Sequence, residues 1–297
     1  MLISANGIGI EVEDHGPPGG AALLLIMGLG MQLVAWPDGF IKALVARGFR
    51  VIRFDNRDIG LSQAFDHHGV PNIVLDAFKY SFRMGVKSPY RLADMADDAA
   101  GVLEALGLPS AHVCGVSMGG MIAQHLALRH PERVKSLTLM MTSSGARHLP
   151  GPSMKVRAAM LGRPDKPGDM NALLAYYVRL YRLIGSPGFP TPDQVIARRV
   201  EGWVRRSNRP ASNLRQLVAI AADGDRSAAL QQLRVPTQVI HGREDALVPV
   251  AAGHDLVQKI PGAVLDIIEG MGHDLPEALW PRFVSGIEAA VARSRAV

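Results

Sequence analysis

One cysteine, Cys114, stands in a chain of 297 residues. A single thiol excludes an intrachain disulfide and a cysteine-rich metal site, and it leaves Cys114 as small core filler. Long apolar runs are missing as well. The longest, Ala21 to Trp36, is broken by Gly28, Gly30 and Gln32 and falls short of the roughly 20 residues that span a bilayer, so no membrane segment is expected. The opening stretch, MLISANGIGIEVEDHG, alternates apolar and polar residues like a strand and carries no charged segment followed by an apolar one. No secretory signal is read there, and the expected location is cytoplasmic. Also absent are a Walker A motif, a G-x-G-x-x-G and an H-E-x-x-H, so neither nucleotide nor zinc dependence has support and no cofactor or metal is expected.

The formal charge of +5 raises the question of nucleic acid, and its distribution answers it. Residues 145 to 235 carry 13 Arg and 2 Lys against 6 Asp or Glu, a local balance of +9 that leaves the rest of the chain at −4. Those arginines are scattered through helical-looking sequence without a basic run or interleaved aromatics, the pattern of a solvated face rather than a phosphate-binding groove. No nucleic-acid partner is expected.

What is present is ample apolar material, 48% of residues, in short runs that alternate with helical patterns. The candidate strands are 22–27, 50–54, 111–116, 134–141, 237–241 and 264–268. Helices are expected over 91–106, 118–130 and 280–293. Such alternation predicts an α/β fold with a mostly parallel twisted sheet flanked by helices. Two stretches depart from it. Between about 145 and 233 no strand is visible, only helical segments broken at Leu149-Pro150-Gly151-Pro152, Lys166-Pro167-Gly168 and Gly185 to Pro192; this reads as a helical insertion whose Pro/Gly joints act as hinges or as turns. Gln63 to Ser88 reads as a long loop with one helical turn at most.

Chemistry concentrates at Cys114-Gly115-Val116-Ser117-Met118-Gly119-Gly120, between a predicted strand and a predicted helix. Residues 115–119 match the G-x-S-x-G elbow, a sharp strand-to-helix turn that exposes a strained serine. A serine hydroxyl needs a base to take its proton and a carboxylate to orient that base. In the order Ser, acid, His, the acid is Asp245, in the loop after the strand TQVIHG, with its neighbour Glu244 as the alternative. The base is His273, in Gly270-Met271-Gly272-His273-Asp274, where glycines let the loop carry an imidazole over the serine. Oxyanion donors are expected from the backbone N–H groups of Met118 and of Leu29, the latter in the loop Met27-Gly28-Leu29-Gly30. Gly28 there allows close approach of substrate.

With these residues in place, the chain resembles the α/β-hydrolase superfamily over nearly its whole length. LLLIMGLG, VIRFDNRDIGLS, YRLADMADDAAGVLEALG, GVSMGGMIAQ and GMGHDLP resemble bacterial carboxylesterases akin to aclacinomycin methylesterase. The resemblance implies one catalytic domain over 1–297, with 145–233 as a helical cap above the site. It also implies Ser117 as nucleophile, Asp245 as acid, His273 as base, and Leu29 and Met118 as oxyanion donors. Met27-Gly28 stands where such proteins often have His-Gly, which alters a pocket wall and leaves backbone donation intact. Asp55 to Ser62 packs charges into a turn and is expected to buttress the oxyanion loop, with a direct substrate contact as the alternative. Tyr177 and Trp203, with Tyr176 and Tyr181 in the insertion, either line an acyl or alcohol pocket or pack as cap core. The expected function is ester hydrolysis of a small molecule through an acyl-enzyme. Carbon–carbon bond hydrolysis and cofactor-free perhydrolysis are the alternatives on the same triad, and a non-catalytic ligand sensor is the alternative of another class. The oligomeric state is left open.

Overall fold

The computed structural model describes residues 1–82, 84–162, 164–166 and 168–295. Arg83 of the long loop, Arg163 of the basic insertion and Pro167 of the Lys166-Pro167-Gly168 break lie outside the described residues. Eight strands, β1 Leu2–Ala5, β2 Ile8–His15, β3 Ala21–Ile26, β4 Phe49–Phe54, β5 Ala111–Val116, β6 Val134–Met140, β7 Thr237–Gly242 and β8 Val264–Ile268, form one sheet in the order β1-β2-β4-β3-β5-β6-β7-β8. Pairing is antiparallel from β1 through β2 to β4 and parallel from β4 to β8. The helices are α1 Asp38–Ala46, α2 Ile73–Ser81, α3 Leu92–Ala105, α4 Met118–Arg129, α5 Met154–Leu161, α6 Met170–Ile184, α7 Asp193–Arg206, α8 Pro210–Asp223, α9 Ser227–Leu230, α10 Ala251–Lys259 and α11 Trp280–Ser294.

The two-residue period of a strand explains how the layers assemble. In β3, Leu23 and Leu25 join Phe40 and Leu44 of α1 and Phe283 and Ile287 of α11 in one buried cluster. Leu24 and Ile26 join Met95 and Val102 of α3 and Ile122 and Leu126 of α4 in the other. A strand covered on both faces must be apolar at every position, which is why the central strands read as unbroken apolar runs. Cys114 of β5 lies fully buried in this core.

The chain goes from β3 to β4 on one side and returns to β5 on the other. The carboxyl ends of β3 and β5 therefore flank the point where strand order reverses, the place where open α/β sheets form a crevice. The helical region α5–α8 is inserted between β6 and β7. Two details differ from the sequence reading. The N-terminal alternation is a hairpin of two strands, turned at Asn6 and Gly7 with φ of 50° and 75°, the backbone that an Asn-Gly pair favours. The 63–88 stretch holds more than a helical turn, since α2 runs for nine residues.

Candidate active site

Ser117 ends β5 and opens α4 with φ 53° and ψ −123°. A side-chain-bearing residue pays on the order of 1–3 kcal/mol for such a backbone, and the glycines beside it make the turn possible. A Cβ on Gly115 would stand 2.3 Å from the Gly119 oxygen, and one on Gly119 would stand 2.1 Å from the Ile26 oxygen. Helix α4 thus starts tight against the ends of β5 and β3. Between residues 114 and 120, only Ser117 is not buried.

His273 reaches Ser117 from the loop after β8. Its Nε2 lies 3.0 Å from Ser117 Oγ, and its Nδ1 lies 2.7 Å from Asp245 Oδ2. A carboxylate at Nδ1 keeps the proton on that nitrogen and leaves Nε2 as the acceptor facing the hydroxyl. Asp245, in the loop after β7, is itself fixed: Oδ1 accepts the Leu247 and Val248 N–H groups at 2.9 and 2.7 Å. Glu244, the alternative acid, is exposed and accepts the Gly270 N–H at 2.6 Å. Asp274 does not meet the His273 ring nitrogens.

The loop after β3 closes the other side of Ser117. A Cβ on Gly28 would stand 3.2 Å from Ser117 Cβ and 3.8 Å from Oγ, so this loop passes within van der Waals distance of the serine. Among the described residues, neither the Leu29 nor the Met118 N–H has an acceptor, whereas the Gly30 N–H donates to Gln216 Oε1 at 2.9 Å. The 55–62 turn backs this loop. Asn56 Nδ2 donates to the Met27 carbonyl at 2.9 Å, and Asp55 Oδ1 accepts the Leu33 N–H at 2.7 Å. Burial pushes the Asp55 carboxyl above the usual range, although the Leu33 and Leu61 N–H groups and Arg206 pull it down. For Asp58 the balance is reversed: burial pushes up, but Arg215, the Phe65 N–H and Tyr90 hold the carboxyl below its ordinary value.

Tyr177 and Trp203 line a small cavity of about 50 Å³ with Gly30, Met31, Ile59 and Asn213. Tyr176 packs within the insertion, its hydroxyl donating to the Ala159 carbonyl at 2.9 Å. Tyr181 lies beside Trp203, with ring centroids 6.1 Å apart. A larger cavity of about 500 Å³ opens between α5 and α6, and the walls of neither cavity include Ser117, Asp245 or His273. Among the described residues no helix is long and apolar enough to cross a membrane.

The family model described as the alpha/beta hydrolase fold matches residues 21–277. The chain belongs to the alpha/beta hydrolase family. Rhodomycin D methylesterase of Streptomyces sp. strain C5 is 31% identical to it, with 96% of each chain covered. 2-Hydroxymuconate semialdehyde hydrolase of Pseudomonas sp. strain CF600 is 28% identical, over 91% of this chain and 86% of its own. Among solved structures, a meta-cleavage product hydrolase from Pseudomonas fluorescens IP01 superposes with a TM-score of 0.75 at 20% identity, covering 99% of this chain and 98% of its own. This alpha/beta hydrolase is therefore similar both to a methylesterase and to a semialdehyde hydrolase, and it shares its fold with a meta-cleavage product hydrolase.

Three residues at the site escaped the sequence reading. Gln216 of α8 holds Gly30 and, through Nε2, the Arg57 carbonyl at 3.1 Å. His241 is buried behind Asp245, with Nε2 2.8 Å from the Val248 carbonyl; burial pushes its imidazole below the ordinary value. Ser186, in the turn between α6 and α7, touches the loop of His273. Of these, only His241 carried a local signal, standing just ahead of Asp245 at a strand end.

Proposed function

We propose that this alpha/beta hydrolase cleaves carboxylic esters of small molecules through an acyl-enzyme on Ser117. The continuous chain Ser117 Oγ, His273 Nε2, His273 Nδ1, Asp245 Oδ2, at 3.0 and 2.7 Å, carries the reading. Ser117 Oγ attacks the ester carbonyl carbon while its proton passes to His273 Nε2. The oxygen that becomes negative accepts from the N–H groups of Leu29 and Met118, which have no acceptor within the chain among the described residues. His273 then gives the proton to the departing alkoxide. In the second half, Nε2 takes a proton from water, the water oxygen attacks the acyl carbon, and the acid leaves as Ser117 recovers its proton. Asp245 remains ionised throughout and steadies the imidazolium.

The inserted helices serve in this reading as a cap that selects substrate, with Gly28, Tyr177 and Trp203 at the pocket wall. The similarity to rhodomycin D methylesterase favours a methyl ester. Carbon–carbon hydrolysis is the second reading, favoured by the similarity to 2-hydroxymuconate semialdehyde hydrolase. A panel of methyl esters, p-nitrophenyl esters of rising acyl length and vinylogous diketones separates the two. Ester turnover by the wild type and none by Ser117→Ala is the expected result. Turnover of diketones alone would replace the ester reading.

A further inference from the structure

The turn that joins α6 to α7 is stitched to the loop that carries His273. The His273 N–H donates to the Ile184 carbonyl at 2.7 Å, and the Gly188 N–H donates to the Gly270 carbonyl at 2.8 Å. Between these bonds, the Ser186 hydroxyl oxygen accepts the Gly272 N–H at 2.9 Å and donates its own proton to Asp274 Oδ1. One buried hydroxyl thus grips the residue before the histidine and the residue after it. The two backbones leave no room for side chains between them: a Cβ on Gly272 would lie 2.2 Å from the Gly185 oxygen, and one on Gly188 would lie 2.8 Å from Gly270 Cα.

We infer that Ser186 and Asp274 are positioning residues for the His273 imidazole, so that the inserted helices aim the base as well as cover it. The inference rests on His273 being the general base. A ring that must present Nε2 to Ser117 and Nδ1 to Asp245 at once needs its Cα fixed, because a displacement of about 1 Å costs about a hundredfold in rate. Asp245 fixes only the ring. The backbone is fixed by Ile184, Ser186 and Gly188, all supplied by the insertion. The joint at Gly185 to Pro192 is accordingly a bonded turn rather than a free hinge, and a cap that moves without disarming the base must pivot elsewhere, as at Leu149 to Pro152.

Asp274 contributes charge as well as an acceptor. Its carboxyl is faced by Ser186, by Tyr181 of α6, by Arg199 of α7 and by His273, while the His273 ring is faced by Asp245, Asp274 and His241. Burial pushes the Asp274 carboxyl above its usual range, while Ser186, His273 and Arg199 pull it down. As a carboxylate it favours the imidazolium that forms during each proton transfer.

The test compares wild type, Ser186→Ala, Ser186→Thr and Asp274→Asn with p-nitrophenyl butyrate and with fluorophosphonate labelling of Ser117. Ser186→Ala should lower kcat about 10- to 100-fold, up to the loss expected when a catalytic group is misplaced by about 1 Å, with KM changed less than about twofold. Ser186→Thr, which keeps the hydroxyl, should regain most of it. Asp274→Asn keeps an acceptor for Ser186 and removes the charge, so the acid limb of kcat/KM should move to lower pH. A merely structural role would leave that limb in place. The downfield proton NMR signal of His273 Nδ1–H, assigned by its loss in His273→Ala, reads the aim of the ring without substrate. A signal broadened or shifted upfield in Ser186→Ala supports the inference even if no ester is turned over, an outcome that would count only against the ester reading. An unchanged signal, with wild-type kcat where the enzyme is active, overturns the inference.

Discussion

Arg206, at the end of α7, sends Nη1 to Asp55 Oδ2 at 2.7 Å, and Asp55 through its other oxygen holds the Leu33 N–H behind the loop that borders Ser117. One ion pair therefore joins the inserted helices to the wall of the site opposite His273. Gln32 doubles the joint, donating to the Trp203 and Ser207 carbonyls at 2.7 and 2.9 Å.

Asp55 is completely buried, whereas Arg206 keeps 17% exposure. Arg206→Met leaves a buried carboxylate without its cation, and stability should drop by about 3 kcal/mol, the lower end for a broken buried pair because Arg206 retains some water contact. Urea midpoints measure this directly. Asp55→Asn added to Arg206→Met should recover part of the loss, since the stranded charge is then gone. A loss within about 0.5 kcal/mol, as at ordinary surface sites, would show that the pair does not hold the two regions together.

Gly28→Ala tests how close the loop must come. The new methyl would press on Ser117 Cβ from 3.2 Å, tight enough that loop and serine must part by a few tenths of an ångström. Because N–H donors must sit where the oxyanion forms, kcat should fall about tenfold or more while the melting temperature holds. Unchanged kcat would remove the loop after β3 from the reacting region.

The three side chains that meet at Ser117 were legible as candidates in the sequence because each lies in a short segment whose backbone demands a special composition. Gly115 and Gly119 are required by clashes with neighbouring backbone, and Ser117 stands between them. Asp245 and His273 follow strand ends in chain order. What supports them was not legible, because Ser186, Gln216 and Arg206 act across 86 to 186 residues of sequence, and no local pattern records a tertiary pairing. Helix α2 was underestimated for a different reason. Val74, Leu75 and Phe78 project into solvent, so its apolar positions mark no buried face, and periodicity signals a helix only when it reports burial.

The sheet supplies a pH prediction independent of the site. His112 of β5 is buried beside Ser136, its Nδ1 2.8 Å from the Ser136 hydroxyl, and burial, with help from the Lys135 and Arg295 charges, pushes its imidazole down to about 4 from 6.5. The unfolded chain takes up a proton here below about 6.5, while the folded chain resists until about 4. Stability is therefore lost as pH falls across that window and is fully present above it, by at most on the order of 3 kcal/mol for this group. His112→Asn, which keeps a polar partner for Ser136, should flatten the slope of unfolding free energy between pH 6.5 and 4. An unaltered slope would mean that His112 is protonated in the folded protein.

Trp203→Ala and Tyr177→Ala probe the pocket wall. Each should change the ratio of kcat/KM between short and long acyl esters by about 10- to 200-fold, the worth of one apolar pocket contact, without abolishing turnover. Folded variants with the wild-type preference would assign both side chains to packing within the insertion.

The proposed chemistry begins at the hydroxyl of Ser117, and stoichiometric labelling with a fluorophosphonate reads that hydroxyl without a substrate. Intact-protein mass spectrometry should show one adduct per wild-type chain, located at Ser117 by peptide mapping. It should show none on folded Ser117→Ala, and slow labelling of His273→Ala, where the proton acceptor is missing. Labelling of Ser117→Ala at the wild-type stoichiometry, or an adduct on another residue of the wild type, would contradict the assignment.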